Sequence, residues 1–134
     1  MSTVTTIYTG KFQTQSTHNQ SGAQIFTDAP LDNQGNGEAF SPTDLFVASL
    51  GSCFLTIAGI AAKRHGFSID GARVETQKKM ADNPRRVGEI ILDIYLPPNS
   101  YTDLEKRLIE RTAATCPVSQ SLHPEIMKTI RWNY

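Results

Sequence analysis

Residues that favour extended backbone recur at Val4, Thr6, Tyr8 and Phe12, predicting a strand over 4–13, and Gln24-Ile25-Phe26-Thr27 is expected to return as its partner. The polar run Ser16-Thr17-His18-Asn19-Gln20-Ser21-Gly22 between them reads as the turn. From Asp28 to Ala39, with Pro30, Gly35 and Gly37, no periodicity is visible. Irregular stretches of that length in a compact domain are often functional.

A helix start follows at Ser41-Pro42-Thr43-Asp44: Ser41 suits the N-cap, Pro42 the first turn, and Asp44 completes a capping box. The helix is expected to run to Lys63-Arg64-His65, where three basic groups meet the negative end of the helix dipole and Gly66 supplies a C-terminal cap. Within it Leu45, Phe46, Val47, Leu50, Phe54, Leu55, Ile57, Ala58, Ile60 and Ala61 cover every face, the pattern of a helix wrapped by protein on all sides. Small chains seldom bury a helix completely, so a second subunit is expected to cover part of it.

Two strands are predicted next, over 68–80 and 86–96, separated by the turn-forming Ala81-Asp82-Asn83-Pro84. Ser100-Tyr101-Thr102-Asp103 reads as a second capping box opening a helix with Leu104, Leu108, Ile109 and Ala113 on one face. Cys116-Pro117 interrupts it and starts another helix, with Pro117 at a first helical position and Cys116 at or beside the N-cap. A final strand is expected over 126–134. Strand pair, long helix, strand pair, two helices and strand make an α+β fold with antiparallel pairing around a long buried central helix.

The chain of 134 residues fits one domain, 1–134. Its 13 basic and 13 acidic side chains leave no electrostatic footprint for nucleic acid or an anionic membrane surface. The first residues lack the basic and apolar regions of a secretory signal, and Lys63, Arg64 and His65 are expected to close the most apolar stretch short of membrane-spanning length. A cytoplasmic location is the resulting expectation.

In a reducing compartment Cys53 and Cys116 are not expected to form a permanent staple. Each could be inert packing, redox chemistry or a metal ligand. Cys116 sits where free backbone N–H groups converge, which can lower a thiol pKa toward neutrality. Cys53, about three turns into an apolar helix, would be made sluggish by burial unless a polar or cationic neighbour arrives from elsewhere in the fold. Metal binding is not expected: only His18, His65 and His123 could join the cysteines, and no Cys-x-x-Cys or His-x-x-x-His pair exists. No cofactor is expected either, because Gly35 and Gly37 lack the context of a phosphate-binding loop.

The segment from Phe40-Ser41-Pro42-Thr43-Asp44-Leu45-Phe46 through Ala48-Ser49-Leu50-Gly51-Ser52-Cys53-Phe54, with Ala114-Thr115-Cys116-Pro117-Val118-Ser119 far downstream, resembles the OsmC/Ohr family of osmotically inducible and organic hydroperoxide resistance proteins. That resemblance implies an intertwined homodimer whose central helix is buried against sheets from both subunits. It also implies a thiol peroxidase acting in stress defence on a small organic hydroperoxide. Cys53 would be the peroxidatic and Cys116 the resolving residue, recycled by an external dithiol of lipoyl type.

Peroxidase members carry a glutamate directly after the helix-start proline and an arginine that pairs with it at the thiolate. Here Thr43 occupies the glutamate position, His18 aligns best with the arginine, and no arginine precedes Arg64. Asp44, Glu38 and His18 are the accessory candidates, and Arg86 or Arg111 could approach across a dimer. Two other functions fit the same chain: a non-catalytic OsmC-like protein binding a small apolar ligand at the dimer interface, and, by fold-level similarity alone, a hot-dog-type thioesterase.

Overall fold

Threonine, isoleucine and tyrosine near the N-terminus form β1 (Val4–Gly10), which pairs antiparallel with β2 (Gln13–His18), itself antiparallel to β3 (Gln24–Asp28). The computed structural model describes all residues from 1 to 134, which divide into two compact units, Met1–Phe46 and Val47–Tyr134. β2 is where the sequence reading needs correction. The first strand stops at Gly10, the chain reverses through Lys11 and Phe12 at positive φ, and residues assigned to a turn are strand. Gln13-Thr14-Gln15-Ser16-Thr17-His18 contains no apolar residue, so a central strand held by its two ladders and by hydroxyl pairs left no hydrophobic alternation to read. Thr6 and Ser16 bond across β1 and β2 at 2.8 Å, and Thr14 bonds Thr27 across β2 and β3.

Beyond β3 the irregular stretch is pinned by its own polar groups. Asp28, 1% exposed, accepts the Glu38 N–H at 3.0 Å, and a short 3-10 turn spans Leu31–Asn33. A Cβ at Gly35 would lie 1.6 Å from the Ala29 carbonyl oxygen, so this close approach admits only glycine.

α1 (Pro42–Arg64) begins as expected: the Asp44 N–H donates to Ser41 Oγ and the Ser41 N–H to Asp44 Oδ2, each at 3.0 Å. It ends at Gly66, at φ +80°, with His65 Nδ1 bonded to the Ala61 carbonyl. Its Val47, Leu50, Gly51, Phe54, Ala58, Ala61 and Ala62 are buried, whereas Phe46 and Ile60 are 41% and 47% exposed. One chain therefore covers one side of the helix and leaves the other open. By length and mean hydropathy α1 does reach what a bilayer crossing requires, contrary to expectation, because the apolar run counts from Pro42 and the basic cluster lies at its very end. Its buried side is spent on the core of the second unit.

That core rests on a second sheet of β4 (Arg73–Ala81), β5 (Arg86–Tyr95) and β6 (Met127–Asn133), with β5 in the middle. β4 and β5 are antiparallel, but β5 and β6 run parallel, which corrects the expectation of antiparallel pairing throughout. The parallel register follows from the crossover between them, formed by α2 (Asp103–Ala113) and α3 (Pro117–Ser121). β4 starts later than predicted because Ser68–Ala72 is folded back by the Ala72 N–H on the Ile69 carbonyl and by Gly71 at φ +91°. The box opening α2 is Thr102 with Glu105, not one starting at Ser100.

Leu50 of α1, Ile90, Leu92 and Ile94 of β5, and Ile109 of α2 are fully buried in one cluster. Gly51 lets α1 approach the sheet: a Cβ there would stand 3.0 Å from Val74 Cγ1 and 3.1 Å from Thr76 Oγ1.

Candidate functional site

Cys53 and Cys116 stand 63 positions apart in the chain, yet in the second unit Cys53 packs against the apolar cluster that contains Cys116, near enough to act on its thiol. Both are free thiols, Cys53 half-buried and Cys116 fully buried. Helix α1 delivers Cys53, held in depth by the neighbouring turns: Leu50 and Phe54 fill the core, and Gly51 sets the distance to β4. Cys116 arrives at the junction of α2 and α3. Pro117 cannot continue α2, so the chain restarts there with Cys116 as N-cap in extended backbone, its Sγ accepting the Ser119 N–H at 3.3 Å.

The cap geometry was legible, but its electrostatic consequence was not. The Cys116 thiol is pushed above its ordinary value chiefly by burial, and the neighbouring Cys53 adds to the rise. The N–H groups of Ser119 and Val118 pull the other way without reversing it. The expected lowering toward neutrality is therefore overturned: burial of the sulfur outweighs the free N–H groups. Raising the pH through this range must raise the thiolate fraction of Cys116, and with it any step in which Cys116 acts as nucleophile.

Ser119 is also buried, and its hydroxyl accepts a hydrogen bond of 3.0 Å from Lys128 Nζ. Lys128 lies on β6 opposite Ile90 of β5. Nothing local in the sequence pointed to it. It reaches Ser119 only through the crossover that lays β6 beside β5.

The accessory candidates all have local occupations. His18 Nδ1 bonds Ser21 Oγ at 2.6 Å in the turn after β2, and Glu38 receives Gln13 Nε2 at 3.4 Å in the first unit. Asp44 is the capping residue of α1. Arg86 spends its guanidinium on the Asp82 and Pro84 carbonyls of its own turn, at 2.7 and 2.8 Å, and Arg111 lines a groove along α2. His65 and His123 bond neighbouring backbone, and no group of three or more His, Cys, Asp or Glu side chains is placed to hold a metal. Two neighbouring thiols, one half-buried and one fully buried, are the groups that could be joined as a disulfide. That is the chemistry the arrangement offers.

A family model described as OsmC-like protein matches residues 35–131. A solved structure from Psychrobacter arcticus, named for osmotic stress induction and detoxification, is similar at 44% identity, covering 99% of this chain and 96% of its own, with a TM-score of 0.95. An organic hydroperoxide resistance protein from Legionella pneumophila shares the fold at 17% identity and a TM-score of 0.75, each chain covered to 97%. One from Bacillus subtilis does so at 18% identity and a TM-score of 0.70, with 97% of this chain and 96% of that one covered. None of the curated proteins matches the chain.

Proposed function

Since the chain belongs to the OsmC-like family, we propose that it is a thiol peroxidase of stress defence that reduces small organic hydroperoxides through Cys53 and Cys116. The observation that carries this reading is the apposition of the two thiols. The Cys53 thiolate attacks the distal oxygen of the hydroperoxide, the O–O bond breaks, and the alkoxide leaves as an alcohol after taking a proton. Cys53 is left as a sulfenic acid. The Cys116 thiolate then attacks that sulfur, the S–S bond forms, and the S–O bond breaks with release of water. An external dithiol, of lipoyl type by resemblance, supplies the two electrons that restore both thiols.

The packing around the pair favours an organic peroxide. Cys116 belongs to the apolar cluster with Leu50, Phe54 and Ile109, and Cys53 packs against it. An aryl group that leaves water at such a site gains roughly 1–2 kcal/mol, so cumene hydroperoxide should be consumed about five- to thirtyfold faster than hydrogen peroxide at equal concentration. Steady-state peroxide consumption with a dihydrolipoyl dithiol checks this. Equal rates for the two peroxides would contradict it.

A homodimer of single OsmC-like domains in the cytoplasm completes the reading. Its support is the apolar surface one chain leaves open: Ile7, Tyr8 and Phe26 in the first unit, and Phe46 and Ile60 on α1. Light scattering should give twice the chain mass, and a stable folded monomer would remove this part of the account.

A groove of about 570 Å³ along α1, whose apolar lining of Leu55, Ile60, Phe67 and Ile69 is rimmed by Thr56, Lys63, Ser68 and Asp70, favours one second reading. On it the chain is a non-catalytic scaffold that binds a small apolar ligand, and peroxide leaves both thiols free.

A further inference from the structure

Lys128 is an exposed lysine whose ammonium meets a buried hydroxyl instead of a carboxylate. The hydroxyl is that of Ser119, 6% exposed, whose own N–H points at the sulfur of Cys116. Lys128 Nζ, Ser119 Oγ, the Ser119 N–H and Cys116 Sγ thus form a chain of contacts of 3.0 and 3.3 Å from the surface of β6 to the buried thiol. α3 is only five residues long, so few hydrogen bonds of its own hold its first turn. The contact from β6 ties Ser119 to the sheet.

We propose that Lys128 is a positioning residue of the thiol pair: by holding the Ser119 hydroxyl it fixes the Ser119 N–H on Cys116 Sγ, where that N–H steadies the negative sulfur that attacks oxidised Cys53. The role in attack rests on the peroxidase reading, whereas the positioning is a property of the reduced protein. The groups acting directly on the Cys116 thiol are Cys53 from α1 and the N–H groups of Ser119 and Val118 in α3, and Lys128 of β6 touches Ser119 alone. No charged group of α2 adds to them.

The test is a pH titration of the reduced, full-length protein followed by the NMR chemical shift of the labelled cysteine Cβ atoms, with no peroxide present. In Lys128→Met the Cys116 midpoint should move up by about half to one pH unit, leaving roughly three- to tenfold less thiolate at neutral pH. Lys128→Arg, which still reaches the hydroxyl, should titrate like the parent. Ser119→Ala should reproduce the shift of Lys128→Met, and the double variant should shift no further, because both act through one contact. An unchanged midpoint in Lys128→Met overturns the proposal, as does a shift that persists undiminished in the Ser119→Ala background. A parent protein that forms no disulfide with peroxide yet shows the Lys128 shift would remove the peroxidase reading alone. A parent that forms the disulfide while Lys128→Met titrates unchanged would remove this inference alone.

Discussion

Cys53→Ser is expected to abolish peroxide consumption, while Cys116→Ser is expected to consume about one equivalent per chain and then stop. The asymmetry comes from where the two thiols sit. Cys53 is half-buried, whereas Cys116 is fully enclosed, with its thiol pushed up by that enclosure. Removing Cys53 removes the electron donor for the O–O bond. Removing Cys116 leaves the first step intact but strands a sulfenic acid, which further peroxide drives to the irreversible sulfinic and sulfonic acids. Single-turnover peroxide loss, with the mass of the Cys53 peptide followed over time, separates the two outcomes. Equal and undiminished activity in both variants would eliminate the cysteine mechanism.

Leu50→Ala should cost about 2–5 kcal/mol of stability and lower the melting temperature by roughly 10 °C or more. Leu50 is 0% exposed and is among the largest fully buried side chains, in the cluster that joins α1 to β5 and α2. The space it leaves cannot collapse cheaply, since neighbouring Gly51 already brings α1 to 3.0 Å from Val74 as measured at a Cβ position. The loss is functional as well as thermodynamic. Leu50 lies one helical turn from Cys53, so a helix that shifts into the cavity moves one thiol relative to the other. Leu50→Met, which nearly conserves volume, should cost less than about 1.5 kcal/mol. Thermal unfolding of the two variants checks the account, and a Leu50→Ala protein as stable as the parent would show that α1 is not seated in this core.

Helix caps and the β4–β5 pair were legible in the sequence, whereas β2 and the parallel return of β6 were not. Both ends of α1 could be read because Ser41 and Asp44 cap it through neighbours in the chain, and Gly66 stops it in the same way. Cys116 could be placed at an N-cap because Pro117 admits little else. β2 escaped notice since all six of its residues are polar and its pairing rests on ladders to β1 and β3. The parallel pairing of β6 with β5 depends on where the α2 and α3 crossover returns the chain, which no periodicity within β6 records.

The same limit governs the site. The pairing of Cys53 with Cys116 comes from family resemblance and not from spacing, and the Lys128 contact to Ser119 depends on the β6 return that the pattern left open. His18, Glu38 and Asp44 were attractive by residue type, but residue type does not reveal that each already holds a turn, a strand contact or a helix cap.

The most direct measurement is intact-mass spectrometry of the reduced protein before and after one equivalent of cumene hydroperoxide, with peptide mapping of the cysteines. The account predicts the loss of two hydrogens per chain and a Cys53 to Cys116 crosslink within the same chain. An unchanged mass with both thiols free would contradict it and leave the apolar-ligand scaffold as the reading that stands.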